Sequence, residues 1–264
     1  MNATAPPVRG FSKRTGLWFR VDGKGPNLAL ISGLNGQARF WDACRDRLAR
    51  EYRVLTFDQR GCGASPDDEA AWTIETLADD ALDLADEAFG SEPYAVIGHS
   101  TGGAIAQCMM ARQPERAVAC ILSATWDQAG DYMRTLFELR LSLIERAPDL
   151  DAILGHLLRV APDAFTPRDE AVALNPDVTR RRITALLGHD GVAYLAGMTR
   201  PALVIGAADD RIVPEHVLRR VHARAAGSDL ALLERGGHFF PQTQAEAFLG
   251  HVTQWLGKQI SRSD

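Results

Sequence analysis

The chain has 264 residues, a formal net charge of −5, and an ordinary globular balance of 46% hydrophobic and 24% charged residues. The absence of a basic tract argues against nucleic-acid binding, and the absence of a ~20-residue apolar run argues against a membrane span. Four cysteines without a C-x-x-C pair, and an N-terminus without a signal-peptide pattern, indicate free thiols in a cytoplasmic protein.

The first third of the chain alternates strand patterns with helix patterns. Two short antiparallel strands come first, and a continuously apolar run then suits a strand buried on both faces. The last helix of this part has an apolar stripe and an acidic face that we expect to be solvated. In chain order, the predicted elements are strands 8–12, 17–21, 27–31 and 52–57, and helices 38–51 and 74–89.

A polar turn with several glycines follows the fourth strand. Asp58 and Arg60 lie two residues apart in this turn and could be taken for catalytic groups. We interpret them instead as an ion pair that braces the turn where the backbone bends at its glycines.

Residues 94–112 combine a strand, a sharp turn and a helix. An apolar strand leads into five residues that match the pattern G-x-S-x-G, and a mostly buried helix follows. In that context the turn strains the backbone of the serine and exposes its hydroxyl, while Gly98 and Gly102 let strand and helix approach closely. The stretch therefore predicts Ser100 as a nucleophile, next to a helix N-terminus that favours negative charge.

The buried strand predicted at 117–123 continues the alternation, which indicates a parallel sheet with helices on both faces. Ligands of such sheets bind beyond the carboxyl ends of the strands, where Ser100 and the loop 32–37 both fall. Because this loop consists largely of small residues, we expect it to present a backbone N–H group to a bound oxyanion.

Strand patterns are missing between residues 126 and 195, and this segment is predicted to form a helical lid. Its helices are expected around 136–144, 150–158 and 172–187, with Pro162, Pro167 and Pro176 as breakers. The lid therefore comprises 126–195, and the core comprises 1–125 and 196–264.

Several charged or titratable residues of this segment invite a functional interpretation. We expect His156 and His189 to lie on the surface or in the packing of the lid. Arg180, Arg181 and Arg182 are interpreted as a solvated helix face, with contact to an acidic substrate as the alternative.

Strict alternation resumes near residue 201, with predicted strands at 201–206 and 230–233 and helices at 214–225 and 245–258. The loop after the first of these strands carries Asp209 and Asp210, and the loop after the second carries His238. The chain thus has the order Ser…Asp…His at the ends of three strands.

Taken together, these features resemble the α/β-hydrolase family over essentially the whole chain. The matching residues are 98–102, 58–63, 210–214 and the pair Gly237-His238. The resemblance implies an α/β fold, with a mostly parallel eight-stranded sheet flanked by helices and a helical lid inserted after strand 6.

Within that family, residues 30–36 and the phrase Asp58-Gln59-Arg60-Gly61 look like the aminoacrylate hydrolases of pyrimidine degradation and the wider group around the enol-lactone hydrolases. Most of those relatives carry His-Gly where this chain has Ser32-Gly33. A role for that histidine cannot be transferred, but the backbone N–H of Leu34 does not depend on it.

The chemistry of these residues suggests a role for each. A histidine, with an ordinary pKa of ~6.5, can take the proton of a serine hydroxyl, and a carboxylate on its other ring nitrogen orients it. We expect His238 to be the base and Asp210 the carboxylate, with Asp209 and Asp127 as alternatives. The backbone N–H groups of Leu34 and Thr101 are expected to bind the oxyanion.

Four aromatic residues and one asparagine are expected to line the substrate pocket, with core packing as the alternative for the aromatic rings. They are Asn35, Trp41, Trp126, Phe239 and Phe240. His99 is expected to pack beneath the serine turn. No metal is expected, because no cluster of histidines and acids has ligand spacing, and no cofactor is expected.

The leading hypothesis is a cofactor-independent serine hydrolase that cleaves a small ester, lactone or amide-like substrate through an acyl-enzyme. One alternative is hydrolysis of a carbon–carbon bond in a ring-cleavage product with the same triad. Another is a small-molecule receptor on the same fold with vestigial hydrolysis. The expected partner is a small-molecule substrate, without nucleic acid or membrane, and the protein is expected to be a monomer or homodimer.

Overall fold

The structure of the chain is a computed structural model that describes residues 8–165 and 175–260. Its strands are β1 (Val8–Phe11), β2 (Trp18–Asp22), β3 (Asn27–Ile31), β4 (Arg53–Phe57), β5 (Tyr94–His99), β6 (Ala117–Ser123), β7 (Ala202–Ala207) and β8 (Asp229–Leu233). Within the described residues these eight strands form one sheet, in the order β1-β2-β4-β3-β5-β6-β7-β8. The pairs β1–β2 and β2–β4 are antiparallel, and the other neighbours are parallel. The predicted mostly parallel, eight-stranded sheet is confirmed.

Apolar cores cover both faces of the sheet, as the continuously apolar strands predict. Successive side chains of a strand point to opposite faces. Accordingly, Leu28 and Leu30 belong to one core, and Ala29 and Ile31 to the other. All six residues of β5 and all six of β7 are buried. Their carboxyl ends are therefore held rigidly from both sides.

The helices of the described chain follow the predicted alternation. They are α1 (Asp42–Leu48), α2 (Ile74–Phe89), α3 (Thr101–Arg112), α4 (Asp131–Arg146), α5 (Pro148–Arg159), α6 (Pro176–Gly188), α7 (Val192–Ala196), α8 (Glu215–Arg224), α9 (Phe240–Thr243) and α10 (Ala245–Ile260). The helix predicted at 38–51 is a 3₁₀ turn, Ala38–Trp41, followed by α1. No helix in the described part of the chain has the length and apolar character needed to cross a membrane.

Helices α4 to α7 form a helical insertion between β6 and β7, as expected. Helix α6 begins at Pro176, a position where the missing N–H of proline costs no hydrogen bond. The side chain of Asn175 caps it by accepting from the backbone N–H groups of residues 177 and 178. The predictions for Pro167 and for helix residues 172–174 lie outside the described residues.

The turn after β4 differs from the expectation, because Asp58 and Arg60 do not pair with each other. Asp58 accepts the backbone N–H groups of Ala38, at 2.8 Å, and Ala64, at 2.9 Å. Arg60 instead donates two 2.6 Å hydrogen bonds to Asp80 on α2. Asp80 is consequently buried, and the expected solvated acidic face of α2 is interrupted at that residue.

Candidate active site

Ser100 lies at the junction of β5 and α3 in a strained conformation. Its backbone angles are φ 56° and ψ −119°, a region that residues with a side chain rarely occupy. The surrounding structure holds it there, since its N–H donates to the Ser123 carbonyl at 2.7 Å and its carbonyl accepts the Gly103 N–H at 2.8 Å. The side chain does not cap α3, so the hydroxyl is left for other partners.

The glycines of this turn permit contacts that no larger residue allows. A Cβ on Gly98 would lie 2.1 Å from the carbonyl oxygen of Gly102, and a Cβ on Gly102 would lie 2.2 Å from that of Ile31. Gly33 brings the loop after β3 against the serine, because a Cβ there would lie 3.0 Å from the Cβ of Ser100. Strand, helix and loop thus meet closely at the serine.

His238 and Asp210 form a buried pair at the ends of β8 and β7. His238 Nδ1 lies 2.7 Å from Asp210 Oδ2. The other oxygen of Asp210 accepts the backbone N–H groups of Ile212, at 2.7 Å, and Val213, at 2.9 Å. Three hydrogen bonds therefore orient the carboxylate, which accepts the Nδ1 proton of the imidazole and leaves Nε2 unprotonated in the neutral ring.

The other two candidate acids have different partners. Asp209 accepts the backbone N–H groups of Gly237, at 2.9 Å, and Gly236, at 3.2 Å, and so holds the loop that carries His238. Asp127 is fully buried and pairs with Arg220 and Arg224 of α8. Burial alone would raise the pKa of Asp127, but hydrogen bonds, first of all from Arg220, lower it overall.

A pocket of about 40 Å³ opens beside these groups, enough for a few water-sized molecules. Its wall joins residues of the core to residues of the helical insertion. It is lined by Ser32, Gly33, Leu34, Asn35, Phe40, His99, Ser100, Thr101, Phe137, Arg140, Arg159, Ile212, His238 and Phe239. The structure thus brings Ser100 and His238 to one pocket, together with the expected wall residues Asn35 and Phe239.

Three of the expected wall residues lie in the core instead. Trp41 is completely buried, and its ring stacks on Phe248 of α10 at a centroid distance of 6.2 Å. Trp126 is 1% exposed and Phe240 is completely buried. All three belong to the apolar cores on the faces of the sheet and none lines the pocket, which agrees with the alternative of core packing.

Leu34 and Thr101 both line the pocket. Thr101 is the first residue of α3, where backbone N–H groups have no partner within the helix. Among the described residues, no acceptor takes the backbone N–H of Leu34 or that of Thr101. Two unsatisfied donors therefore border the pocket that holds Ser100.

His99 lies beneath the serine turn, as expected, and also reaches the pocket. Its ring stacks on Phe40 at a centroid distance of 4.7 Å, and Nδ1 lies 3.0 Å from Ser123 Oγ. Burial, together with the nearby His238, holds the pKa of His99 well below its ordinary value. A neutral imidazole therefore forms part of the pocket floor.

The three consecutive arginines of α6 point in different directions. Arg180 is exposed and pairs with Asp177. Arg181 pairs with Asp67 and covers the Trp72 ring, with Cζ 4.1 Å from the ring centroid. Arg182, by contrast, is only 1% exposed and reaches the loop after β3. The interpretation as a solvated face is therefore wrong for Arg182.

Two further arginines on the pocket wall were not identified from the sequence. Arg140 of α4 is buried and pairs with Asp151 of α5, with distances of 2.8 and 3.0 Å. Arg159, at the end of α5, has Cζ 5.5 Å from the centroid of the Phe239 ring. Only the packing of the insertion against the core brings these cations to the pocket, and no local pattern marks them.

One group within the described residues could offer three ligands to a metal ion. Glu75, Cys108 and His189 have ligand atoms within 4.8 Å of one another, although they are distant in sequence. Burial raises the pKa of Cys108 to about 12 and lowers that of His189 to about 4. His189 Nε2 lies 3.1 Å from Gln107 Oε1, and none of the three residues lines the pocket.

A strained serine between a parallel strand and a helix, on an eight-stranded sheet with a helical insertion after its sixth strand, defines the α/β-hydrolase fold. Solved structures share this fold closely. A hydrolase from Pseudomonas aeruginosa PA01 has a TM-score of 0.83 at 26% identity, covering 95% of this chain and 98% of that one. The enol-lactonase from Burkholderia xenovorans LB400 has a TM-score of 0.86 at 23% identity, covering 95% and 100%.

Residues 28–250 match the profile described as "Alpha/beta hydrolase family", and the chain belongs to that family. Curated relatives are similar over nearly their whole length. The protein named "Putative carbamate hydrolase RutD" of Caulobacter sp. strain K31 is 30% identical over 268 residues, 93% of this chain and 97% of that protein. Its namesake from Stutzerimonas stutzeri strain A1501 is 30% identical over 255 residues, 90% and 96%. The resemblance inferred from the sequence motifs is confirmed.

Proposed function

We propose that the protein is a cofactor-independent serine hydrolase that cleaves a small ester, lactone or amide-like substrate through an acyl-enzyme. The observation that carries the proposal is the buried pair of His238 and Asp210, 2.7 Å apart, of which His238 lines the pocket that also contains Ser100. A neutral serine hydroxyl is a weak nucleophile and needs a base to accept its proton. A histidine whose tautomer is fixed by a carboxylate is such a base.

In this proposal, Ser100 Oγ attacks the acyl carbon while His238 Nε2 takes its proton. Asp210 keeps the Nδ1 proton in place and stabilises the imidazolium that forms. The imidazolium then protonates the leaving group, and the same residues activate a water molecule that hydrolyses the acyl-enzyme. Asp209, whose carboxylate binds the backbone of the His238 loop, positions the base without touching its ring.

The negative charge that develops on the acyl oxygen requires donors. We assign this role to the backbone N–H groups of Leu34 and Thr101, which border the pocket and have no acceptor among the described residues. Each such donor contributes about 3 kcal/mol in comparable sites. The N-terminus of α3 adds a favourable dipole at the same point.

The pocket dimensions and its charged wall limit the substrate class. A volume of about 40 Å³ favours a short acyl group. Arg159, at the end of α5 and beside Phe239, supports a substrate with an anionic group such as a carboxylate. Arg140 and Arg159, the two arginines of the pocket wall, both belong to the helical insertion. We propose that residues 126–195 act as the lid that selects the substrate.

The test is active-site labelling combined with turnover. A fluorophosphonate probe is expected to label the wild-type protein and the control variant Ser91→Ala, which removes an exposed serine, but not Ser100→Ala. Multiple turnovers of short-chain aryl esters and lactones should accompany the labelling. Labelling that persists in Ser100→Ala would refute the proposed nucleophile, and stoichiometric release without turnover would favour a receptor.

A further inference from the structure

The guanidinium of Arg182 is buried in contact with the loop that carries Gly33 and Leu34. Its Nε donates to the Leu34 carbonyl at 2.6 Å, and its Nη2 donates to the Gly33 carbonyl at 3.2 Å and to Gln59 Oε1 at 2.6 Å. No carboxylate of the described chain pairs with it. Burial accordingly lowers the pKa of Arg182.

A buried cation without a counter-ion is costly, so its position requires compensating hydrogen bonds. Here the compensation comes from neutral oxygens, two of them backbone carbonyls of a single short loop. Simple packing of α6 on the core would need no such group, because an apolar side chain of similar volume avoids the desolvation cost. The arrangement therefore concentrates positive charge on this particular loop.

The Gly33 carbonyl and the Leu34 N–H belong to the same planar peptide unit and point in opposite directions. The carbonyl accepts from Arg182 on one side and from the Gly36 N–H, at 2.9 Å, on the other. Two donors on one oxygen fix the orientation of the peptide plane. A charged donor on the carbonyl also polarises the peptide and strengthens its N–H as a donor.

Gln59 completes the support of the loop. Its side-chain amide donates to the Ser32 carbonyl at 2.8 Å and its backbone N–H to the Gly36 carbonyl at 2.7 Å, while its Oε1 accepts from Arg182. The loop is thus held at both ends by the turn after β4, and at its middle by a residue of the helical insertion.

We propose that Arg182 is a positioning residue that orients and polarises the Gly33–Leu34 peptide, so that the Leu34 N–H stabilises the oxyanion of the transition state. This inference rests on the proposed hydrolase function. It also makes the oxyanion site depend on the helical insertion, because Arg182 belongs to α6 and the peptide to the core.

The test compares Arg182→Met with the neighbouring variant Arg181→Met. Arg181 belongs to the same helix and also contacts the core, through Asp67 and the Ala70 carbonyl, but not the loop after β3. We expect Arg182→Met to lower kcat on a short aryl ester about 10- to 50-fold with KM within twofold, because a lost oxyanion donor costs about 10²–10³ and Arg182 acts through one. Arg181→Met should keep kcat within twofold.

A transition-state analogue separates positioning from structural support. An alkylboronic acid that adds to Ser100 should lose affinity for Arg182→Met by the same factor as kcat/KM, while a non-covalent product acid should bind with unchanged affinity. If kcat stays within twofold in folded Arg182→Met, or if both ligands lose affinity equally, the inference is wrong.

Two controls keep the outcome interpretable. Arg182→Lys keeps a charge but has a single nitrogen in place of Nε and Nη2, so it cannot reproduce all the bonds to Leu34, Gly33 and Gln59. It replaces Arg182→Met if circular dichroism shows that the latter is unfolded. An intermediate loss of kcat, about 3- to 10-fold, is then expected. If Arg182→Lys shows no loss of kcat, the inference is wrong. Ser100→Ala separates the inference from the proposed function, since retained activity in that variant refutes Ser100 as the nucleophile and says nothing about Arg182.

Discussion

Asp209 and Asp210 are consecutive in the chain, yet their carboxylates bind different parts of the loop that carries His238. Asp210 binds the imidazole Nδ1 at 2.7 Å, whereas Asp209 accepts the backbone N–H of Gly237 at 2.9 Å. One acid therefore acts on the ring of the proposed base, and the other holds the backbone that carries the ring. Substitution of Asp210 should therefore lower activity much more than substitution of Asp209.

Asp210→Asn is expected to lower kcat/KM by about 10³- to 10⁴-fold, because the amide cannot hold the imidazole in the required tautomer. The carbonyl oxygen of the new side chain can still accept from Ile212 and Val213, so the thermal midpoint should change little. Asp209→Asn keeps an acceptor for Gly237 and should lose less than about tenfold. Steady-state kinetics and thermal melts of both variants decide the matter, and equal losses of activity would contradict the assignment.

Gly98→Ala is expected to destabilise the protein by about 2–4 kcal/mol or to prevent folding. The new methyl group would lie 2.1 Å from the backbone oxygen of Gly102, which belongs to the buried junction of β5 and α3 and cannot move aside. Gly250→Ala is the matched control in α10, where a Cβ would meet no atom within 4 Å, and it should stabilise by up to ~1 kcal/mol. Urea denaturation measures both changes, and a neutral Gly98→Ala would mean that the turn is looser than the structure indicates.

His189 should make the stability of the protein depend on pH. Burial lowers its pKa from 6.5 to about 4 in the folded state. As the pH falls from 6.5 towards 4, the unfolded chain binds a proton on His189 that the folded chain does not, so stability decreases in this range. The full loss from this group is about 3 kcal/mol, and buried His99 contributes in the same direction.

The variant His189→Gln isolates this contribution, since an amide can still donate to Gln107 Oε1 but does not titrate. Chemical denaturation between pH 4 and pH 7.5 should give a shallower decline of the unfolding free energy for the variant than for the wild type. Parallel pH profiles for the two proteins would show that His189 is not buried as a neutral group.

Arg159→Met tests the charged wall of the pocket. The variant is expected to raise KM about tenfold for an ester with a free carboxylate, such as a dicarboxylic monoester, because it removes a cation from the pocket wall. A neutral ester of the same length should show KM within twofold of wild type, because the methionine preserves packing on Phe239. Kinetics with this matched substrate pair are sufficient, and equal effects on both esters would remove the support for an anionic substrate.

Much of this molecule could be predicted from its sequence. Short continuous apolar runs alternating with helical periodicity identify a parallel sheet, because strands covered on both faces need no polar positions. The G-x-S-x-G turn was visible for a similar reason, because the glycines that let strand and helix approach lie within two residues of Ser100 in the chain. The helical insertion was recognisable as a long segment without strand patterns.

The partners of individual charged side chains could not be predicted in this way. Arg180, Arg181 and Arg182 are consecutive residues of the same type, yet one is exposed, one covers Trp72 and one is buried on the loop of Gly33 and Leu34. Likewise, the sequence offered three candidate acids, and only the packing of β7 against β8 brings Asp210 to His238. Local periodicity and turn chemistry depend on residues that are close in the chain, so they can be recognised in the sequence. The partner of a long side chain is a group from a distant element, which only the folded structure brings into contact with it.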